Sequence, residues 1–358
     1  MFNWNKKEKP LLGLLGSGGG LGYLAGAAGG YVGNIAVAHY SSPYISVYPW
    51  SSGFGTKYAN PATLPAGNGF AVAFSPDASS IALAHWASPF ITAYPWSGSG
   101  FGTKYSNPST LPTAYGTGVA FSPDGADIAV SMDTTPAFHV YPWSGSGFGT
   151  KYADPASSPV GDGTEITFSP DGADIAVSQY SSPHLAVYPW SSGFGTKYAN
   201  PATLPASAGK GVAFSPDGSD IAVVHNTSPY IDVYPWSSGF GTRYANPSSP
   251  PSDNSTSVSW SPDGADIAIS HSTSPYISVY PWSGSGFGTK YANPATLPAG
   301  DGQTVTFSPD GADIAVAHSG SSPYISVYPW SSGFGAKYAN PATAIPSLGM
   351  GVAFSPAV

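Results

Sequence analysis

Residues 303–341 read QTVTFSPDGADIAVAHSGSSPYISVYPWSSGFGAKYANP. QTVTFSPD is a short apolar run closed by a turn, and ADIAVAH is a second run. PYISVYPW is a third, rich in β-branched and aromatic residues. GFGAKYANP is a fourth, short and bounded by Gly and Pro. Short runs of this composition, punctuated by Ser, Pro, Asp and Gly, predict four β-strands. Nothing in the unit has a helical period with caps.

The unit recurs along the chain. Tyr-Pro-Trp triplets end at Trp50, Trp96, Trp143, Trp190, Trp236, Trp282 and Trp330, with successive gaps of 46, 47, 47, 46, 46 and 48 residues. Interleaved with them, Phe/Trp-Ser-Pro begins at Phe74, Phe121, Phe168, Phe214, Trp260, Phe307 and Phe354. The expectation is an all-β chain, a seven-bladed β-propeller of four-stranded blades. The first unit, GNIAVAHYSSPYISVYPW at residues 33–50, starts at its second strand. The chain ends in an orphan first strand, GVAFSPAV at residues 351–358. Joining the two closes the ring and removes an open sheet edge.

FSPDGADIAV (307–316) followed by ISVYPW (325–330) resembles the WD40-type repeat, and the resemblance covers residues 34–358. It departs where Tyr-Pro-Trp stands in place of Trp-Asp and where the Gly-His dipeptide is missing. The family's hydrogen-bonded tetrad is therefore not implied.

Composition narrows the function classes. Of the 358 residues 41% are apolar and 14% aromatic, too many for a disordered chain. Charged residues make up 8%, against about 25% in ordinary soluble domains. The 45 Gly and 37 Pro mark many tight turns. The net charge of −8 argues against a nucleic-acid partner, which needs clustered Lys and Arg. With no cysteine there is neither a disulfide framework nor thiolate chemistry.

Strands that run up and down sort their turns onto two faces. SPDGAD and PWSSGFG share a nearly invariant face. The loops between strands two and three (HWASPF, MDTTPAF, QYSSPH, HNTSPY) and the loops between blades (NPSTLPTAYGTG, NPSSPPSDNSTS) share a variable one. Two readings of the variation stand: neutral change in solvent, or recognition. On the variable face Tyr44, Phe90, Tyr230, Tyr276 and Tyr324 follow the loop proline and form a candidate ligand-binding rim, where aromatic faces stack on sugar rings. The other reading of these rings is packing between blades.

Three further patterns repeat. Lys57, Lys104, Lys151, Lys197, Arg243, Lys290 and Lys337 occupy one position in the outermost strand, where a cation discourages edge-to-edge pairing. Asp124/Asp127, Asp171/Asp174, Asp217/Asp220, Asp263/Asp266 and Asp310/Asp313 pair up in the constant turns, where Asp-Gly after Ser-Pro is ordinary turn chemistry. His39, His85, His225, His271 and His318 end the second strand on separate blades, which predicts structural hydrogen bonds. No catalytic residue, metal site or cofactor is expected. Near-identical blades would supply one residue type around the channel, whereas catalysis needs unlike groups converging.

Residues 1–33 lie outside the repeat and form a Gly-rich segment, with the propeller expected over 34–358. The segment has the basic head and apolar stretch of a signal peptide, but glycine weakens that reading and any reading as a membrane span. WNKKEKPLLGLLGSGGG (4–20) resembles the anchoring N-termini of tailed-phage virion proteins. That resemblance implies anchoring through Trp4, Lys6, Lys7, Lys9, Leu11, Leu12, Leu14 and Leu15 to other virion or assembly proteins. The functional expectation is a non-enzymatic structural or adhesion protein on a virion surface or comparable extracellular assembly. The alternative is a secreted or cell-surface carbohydrate-binding propeller, or a filament subunit, with surface glycans as partners.

Overall fold

The computed structural model describes residues 30–159 and 161–357. The anchoring residues Trp4, Lys6, Lys7, Lys9, Leu11, Leu12, Leu14 and Leu15 lie outside this range. All regular elements among the described residues are strands. In chain order they are β1 (Val32–His39), β2 (Ile45–Ser51), β3 (Gly69–Phe74), β4 (Ser80–His85), β5 (Ile91–Pro95), β6 (Gly116–Phe121), β7 (Asp127–Met132), β8 (Phe138–Pro142), β9 (Gly163–Phe168), β10 (Asp174–Gln179) and β11 (Leu185–Pro189). They continue with β12 (Gly209–Phe214), β13 (Asp220–His225), β14 (Ile231–Pro235), β15 (Ser255–Trp260), β16 (Asp266–His271), β17 (Ile277–Pro281), β18 (Gly302–Phe307), β19 (Asp313–His318), β20 (Ile325–Pro329) and β21 (Gly349–Phe354). They form seven antiparallel three-stranded sheets.

The sheets are the blades of a β-propeller. The inner strands touch in a cycle, β3 to β6, β9, β12, β15, β18 and β21, and back to β3. The C-terminal strand β21 completes the first blade by pairing with β1, Val37 opposite Val352. Tyr31 locks this closure. Its hydroxyl donates to the Ser355 carbonyl at 2.6 Å, and its ring meets Phe354 edge-on at 5.7 Å.

The expected fourth strand is reduced. In each blade it contributes a single bridge to the end of the third strand, as Trp50 opposite Phe54. Two backbone bonds, Gly55 N–H to the Pro49 carbonyl (2.8 Å) and Tyr58 N–H to the Val47 carbonyl (3.0 Å), hold the rest of the first such segment. Pro49 packs on Gly55, where a Cβ would lie 2.9 Å from the proline ring. Lys57 folds back onto the Tyr58 carbonyl and the Asn60 side chain, so its ammonium occupies one backbone acceptor that a regular ladder would use.

The middle strands β4, β7, β10, β13, β16 and β19 are buried along their whole length, and β1 from Asn34 onward, because both faces of each sheet are covered by neighbouring blades. This explains unbroken apolar runs such as IALAH where a half-exposed strand would alternate. The core is accordingly divided into seven clusters, one at each joint between blades.

Tyr-Pro-Trp is the fastener of these joints. The Tyr188 hydroxyl donates to the Ser157 carbonyl of the preceding blade (2.6 Å). The Trp190 indole donates to Asp127 of that blade (2.9 Å). Tyr152 donates to the other oxygen of the same carboxylate (2.8 Å). The Asp–Trp–Tyr arrangement recurs at Asp174, Asp220, Asp266 and Asp313. Asn34 and Ser80 stand in the remaining two joints, and the Trp96 indole N–H has no partner among the described residues.

Candidate functional site

Each inner strand carries a β-bulge at its start. The register slips between Gly69 and Ala71, between Gly116 and Gly118, and at the equivalent place in the other blades. One residue per blade is thereby unpaired and re-aimed at the mouth of the central channel, which is a recurrent use of bulges. Those residues are Phe70, Thr117, Thr164, Lys210, Thr256, Gln303 and Met350. The glycine before the bulge admits the preceding blade: a Cβ on Gly69 would stand 2.6 Å from the Tyr44 carbonyl, and one on Gly116 2.6 Å from that of Phe90.

The seven bulge residues split into two sets. Thr117, Thr164 and Thr256 bridge to the next inner strand, donating to the carbonyls of Gly163, Gly209 and Gly302 at 2.7–2.9 Å. Phe70, Lys210, Gln303 and Met350 make no such bridge, and all seven bulge residues line a channel cavity of about 630 Å³. One residue further along, the seven positions are Ala71, Gly118, Glu165, Gly211, Ser257, Thr304 and Gly351.

Glu165 is the one carboxylate in that second ring. Glycines flank it on the adjacent blades. A Cβ on Gly211 would lie 3.0 Å from its Oε2, and one on Gly118 3.1 Å from its Cα. The side chain is half-buried and exposed only to the lumen that it lines. Burial pushes its carboxyl up to about 8, against the Val212 backbone N–H, which favours the carboxylate.

Of the residues that follow the second strands, Asp133, Tyr180, Asn226 and Ser272 line the cavity, and Tyr40 and Trp86 stand outside its lining. Most are tied by their backbone N–H to the end of an inter-blade loop, as Trp86 to Asn68 and Asp133 to Tyr115. One side is aromatic. Trp86 stacks on Tyr115 (4.3 Å, 21° between planes), with Phe70 and Tyr40 beside them. Next to this crescent, partial burial and then the neighbouring Asp133 carboxylate raise the carboxyl of Asp162. On the other side Lys210 sits 4.0 Å over the Tyr180 ring and donates to its hydroxyl at 2.9 Å. It is the one cation of the propeller outside the outer ring of Lys57 and its equivalents.

The other sequence candidates have structural surroundings. Tyr44, Phe90, Tyr230, Tyr276 and Tyr324 are half-buried, one on each of five blades, with φ between 63° and 70°. Their carbonyls accept the N–H of His39, His85, His225, His271 and His318, and none of these rings lines the channel cavity. Four of the histidines bond a hydroxyl of the third strand, as His85 to Thr92 at 2.9 Å. His225 instead meets Asp232 (3.2 Å), which also holds Arg243 (2.7 Å). In the acidic turns the first carboxylate caps the turn, Ser122 Oγ donating to Asp124 (2.6 Å), and the second belongs to the joint already described. Among the described residues no cluster of three His, Cys, Asp or Glu is arranged to hold a metal ion.

The expectation of one residue type around the channel therefore fails. Phe, Thr, Lys, Gln and Met occupy equivalent bulges, and Glu165 stands among Ala, Gly, Ser and Thr. A signal was available in the sequence, in the columns three and four residues before each Phe/Trp-Ser-Pro. Near-identity of the flanking phrases obscured it.

No protein-family model and no curated protein matches this sequence. Among solved structures the chain is similar to the periplasmic gluconolactonase PpgL of Pseudomonas aeruginosa (TM-score 0.68, 15% identity, covering 91% of this chain and 100% of that one). It is similar to a candidate 6-phosphogluconolactonase of Bacteroides fragilis (TM-score 0.69, 11% identity, 92% and 99%) and to a Lactobacillus plantarum protein (TM-score 0.70, 14% identity, 90% and 99%). At these identities the likeness establishes the fold. These neighbours nonetheless overturn the expectation of a non-enzymatic structural or adhesion protein displayed on a virion, and its lectin-like alternative. The non-enzymatic part of that expectation rested on a channel lined alike on all sides, and the fold is shared with lactonases.

Proposed function

We propose that the chain is a hydrolase acting on a sugar-type lactone at the variable-face mouth of the channel. The observation that carries this reading is Glu165, a lumen-facing carboxyl pushed up to about 8 in a ring of small neighbours. A base poised near neutral pH is what water activation requires. The lactonase names among the structural neighbours support the substrate class.

Glu165 removes a proton from water as the oxygen attacks the lactone carbonyl. The tetrahedral intermediate then collapses with cleavage of the ring C–O bond. The departing alkoxide takes the proton from Glu165, releasing a hydroxy acid. Lys210 offsets the charge of the carboxylate product, and Gln303 and Asn226 supply hydrogen bonds to ring hydroxyls. An extracellular or periplasmic location belongs to the same proposal, in line with the periplasmic neighbour. No helix among the described residues is long and apolar enough to cross a membrane.

The test is pH-stat hydrolysis of glucono-1,5-lactone, corrected for spontaneous opening. Glu165→Gln is expected to lower kcat/KM by a factor of about 100 or more. The wild-type kcat/KM should rise with pH through about 8, because only the carboxylate is a base. Hydrolysis no faster than the spontaneous rate, or equal in the Gln variant, overturns the reading.

A further inference from the structure

We infer that the aromatic crescent at the channel mouth is a stacking subsite for a second sugar ring, so that the substrate is a lactone extended by an equatorially linked sugar. The lactone half of this statement rests on the hydrolytic reading, and the ring-binding half stands apart from it.

Trp86 is 51% exposed although it is stacked against Tyr115, and Tyr115 lines the cavity. Phe70, re-aimed by its bulge, and Tyr40 extend the same surface, with ring centroids 5.8–6.2 Å from their neighbours. Every other tryptophan among the described residues is buried to within 8% exposure, so an exposed indole is out of pattern.

The polar border identifies the ligand. Asp133 and Asp162 lie close enough to the Tyr115 phenol that, after burial, the two carboxylates raise it. Carboxylates accept from hydroxyls. A flat apolar face with hydroxyl acceptors at its margin matches a pyranose, whose C–H face is apolar and whose equatorial hydroxyls point outward in the ring plane. The cavity of about 630 Å³ is in the range of sites that take drug-sized ligands and exceeds what one lactone ring fills.

Two measurements test this on the full chain. The first is binding of cellobiose, a disaccharide with no lactone, followed by tryptophan fluorescence. The second is kcat/KM for cellobionolactone compared with glucono-1,5-lactone. Cellobiose is expected to change the fluorescence of the wild type and of Tyr115→Phe, and not that of Trp86→Ala. Trp86→Ala should lower kcat/KM for cellobionolactone at least tenfold while leaving that for gluconolactone unchanged. Cellobiose binding without hydrolysis of either lactone supports the subsite and rejects the hydrolase. Hydrolysis with no cellobiose response, or an equal loss on both substrates, overturns the subsite.

Discussion

The joints between blades and the mouth of the channel are built by the same seven repeats, yet they treat repetition in opposite ways. At five joints the chain places the same three groups, an Asp, a Trp from the next blade and a Tyr from the edge segment, at 2.8–3.0 Å. At the mouth, equivalent bulges carry Phe70, Lys210, Gln303 and Met350. A joint must satisfy a buried indole N–H and a buried carboxylate together, so few residues serve there. A bulge side chain has left the ladder and faces the lumen, so backbone pairing places no demand on its identity.

This comparison can be broken most severely at the ring closure. Deleting residues 349–358 removes β21, and with it the pairing to β1 and the acceptor of the Tyr31 hydroxyl. The loss is expected to rival the whole stability of a domain, about 5–15 kcal/mol. The truncated chain should therefore fail to give a cooperative melt, and a melt like that of the full chain would contradict ring closure as a stabilising element.

Acid comes next. Burial lowers His39, His85, His139 and His271 from 6.5 to about 4. Their folded values are depressed, so the unfolded chain binds more protons between these limits. Stability is full above about pH 6.5 and is lost as pH falls toward 4, by about 3 kcal/mol for each imidazole. Urea midpoints at pH 7, 5.5 and 4.5 check this, and a flat profile would reject the structural role of the histidines.

The third effect is the smallest and the most local. Asp127→Ala leaves the Trp190 indole and the Tyr152 hydroxyl without their acceptor and should cost about 2–4 kcal/mol. Lactone hydrolysis at the far end of the channel should be unchanged at 25 °C. Glu165→Gln should show the reverse pattern, with activity lost and the melting temperature kept. If both variants lose both properties, the separation of joints from mouth is wrong.

Much of the fold is legible because the apolar runs, the turn residues and a spacing of 46–48 residues all point to stacked β units. The reduced fourth strand is less legible, since Gly55 and Lys57 leave the ladder through packing on Pro49 and side-chain capping of the Tyr58 carbonyl. Tyr44 and its equivalents read as an exposed rim because they follow a loop proline. Their positive φ and their half-burial at the joints come from how one blade leans on the next. Glu165 is plain in the sequence as the one acidic residue of its column. Its burial, and the glycines on either side, exist only after seven inner strands have been brought into a ring.

The sequence by itself determined the repeat, the number of blades, the closing strand and the separation of a constant from a variable face. These follow from local periodicity and turn chemistry, which each repeat carries in full. Only the tertiary structure decided the partners of each Tyr-Pro-Trp, the bulge that turns Phe70 and Lys210 toward the lumen, and the raised carboxyl of Glu165. These depend on tertiary contacts, between blades at the joints (Tyr188 with Ser157, 31 positions apart, and Trp190 with Asp127, 63 apart) and between paired strands at the bulges, and on a burial that no single blade provides.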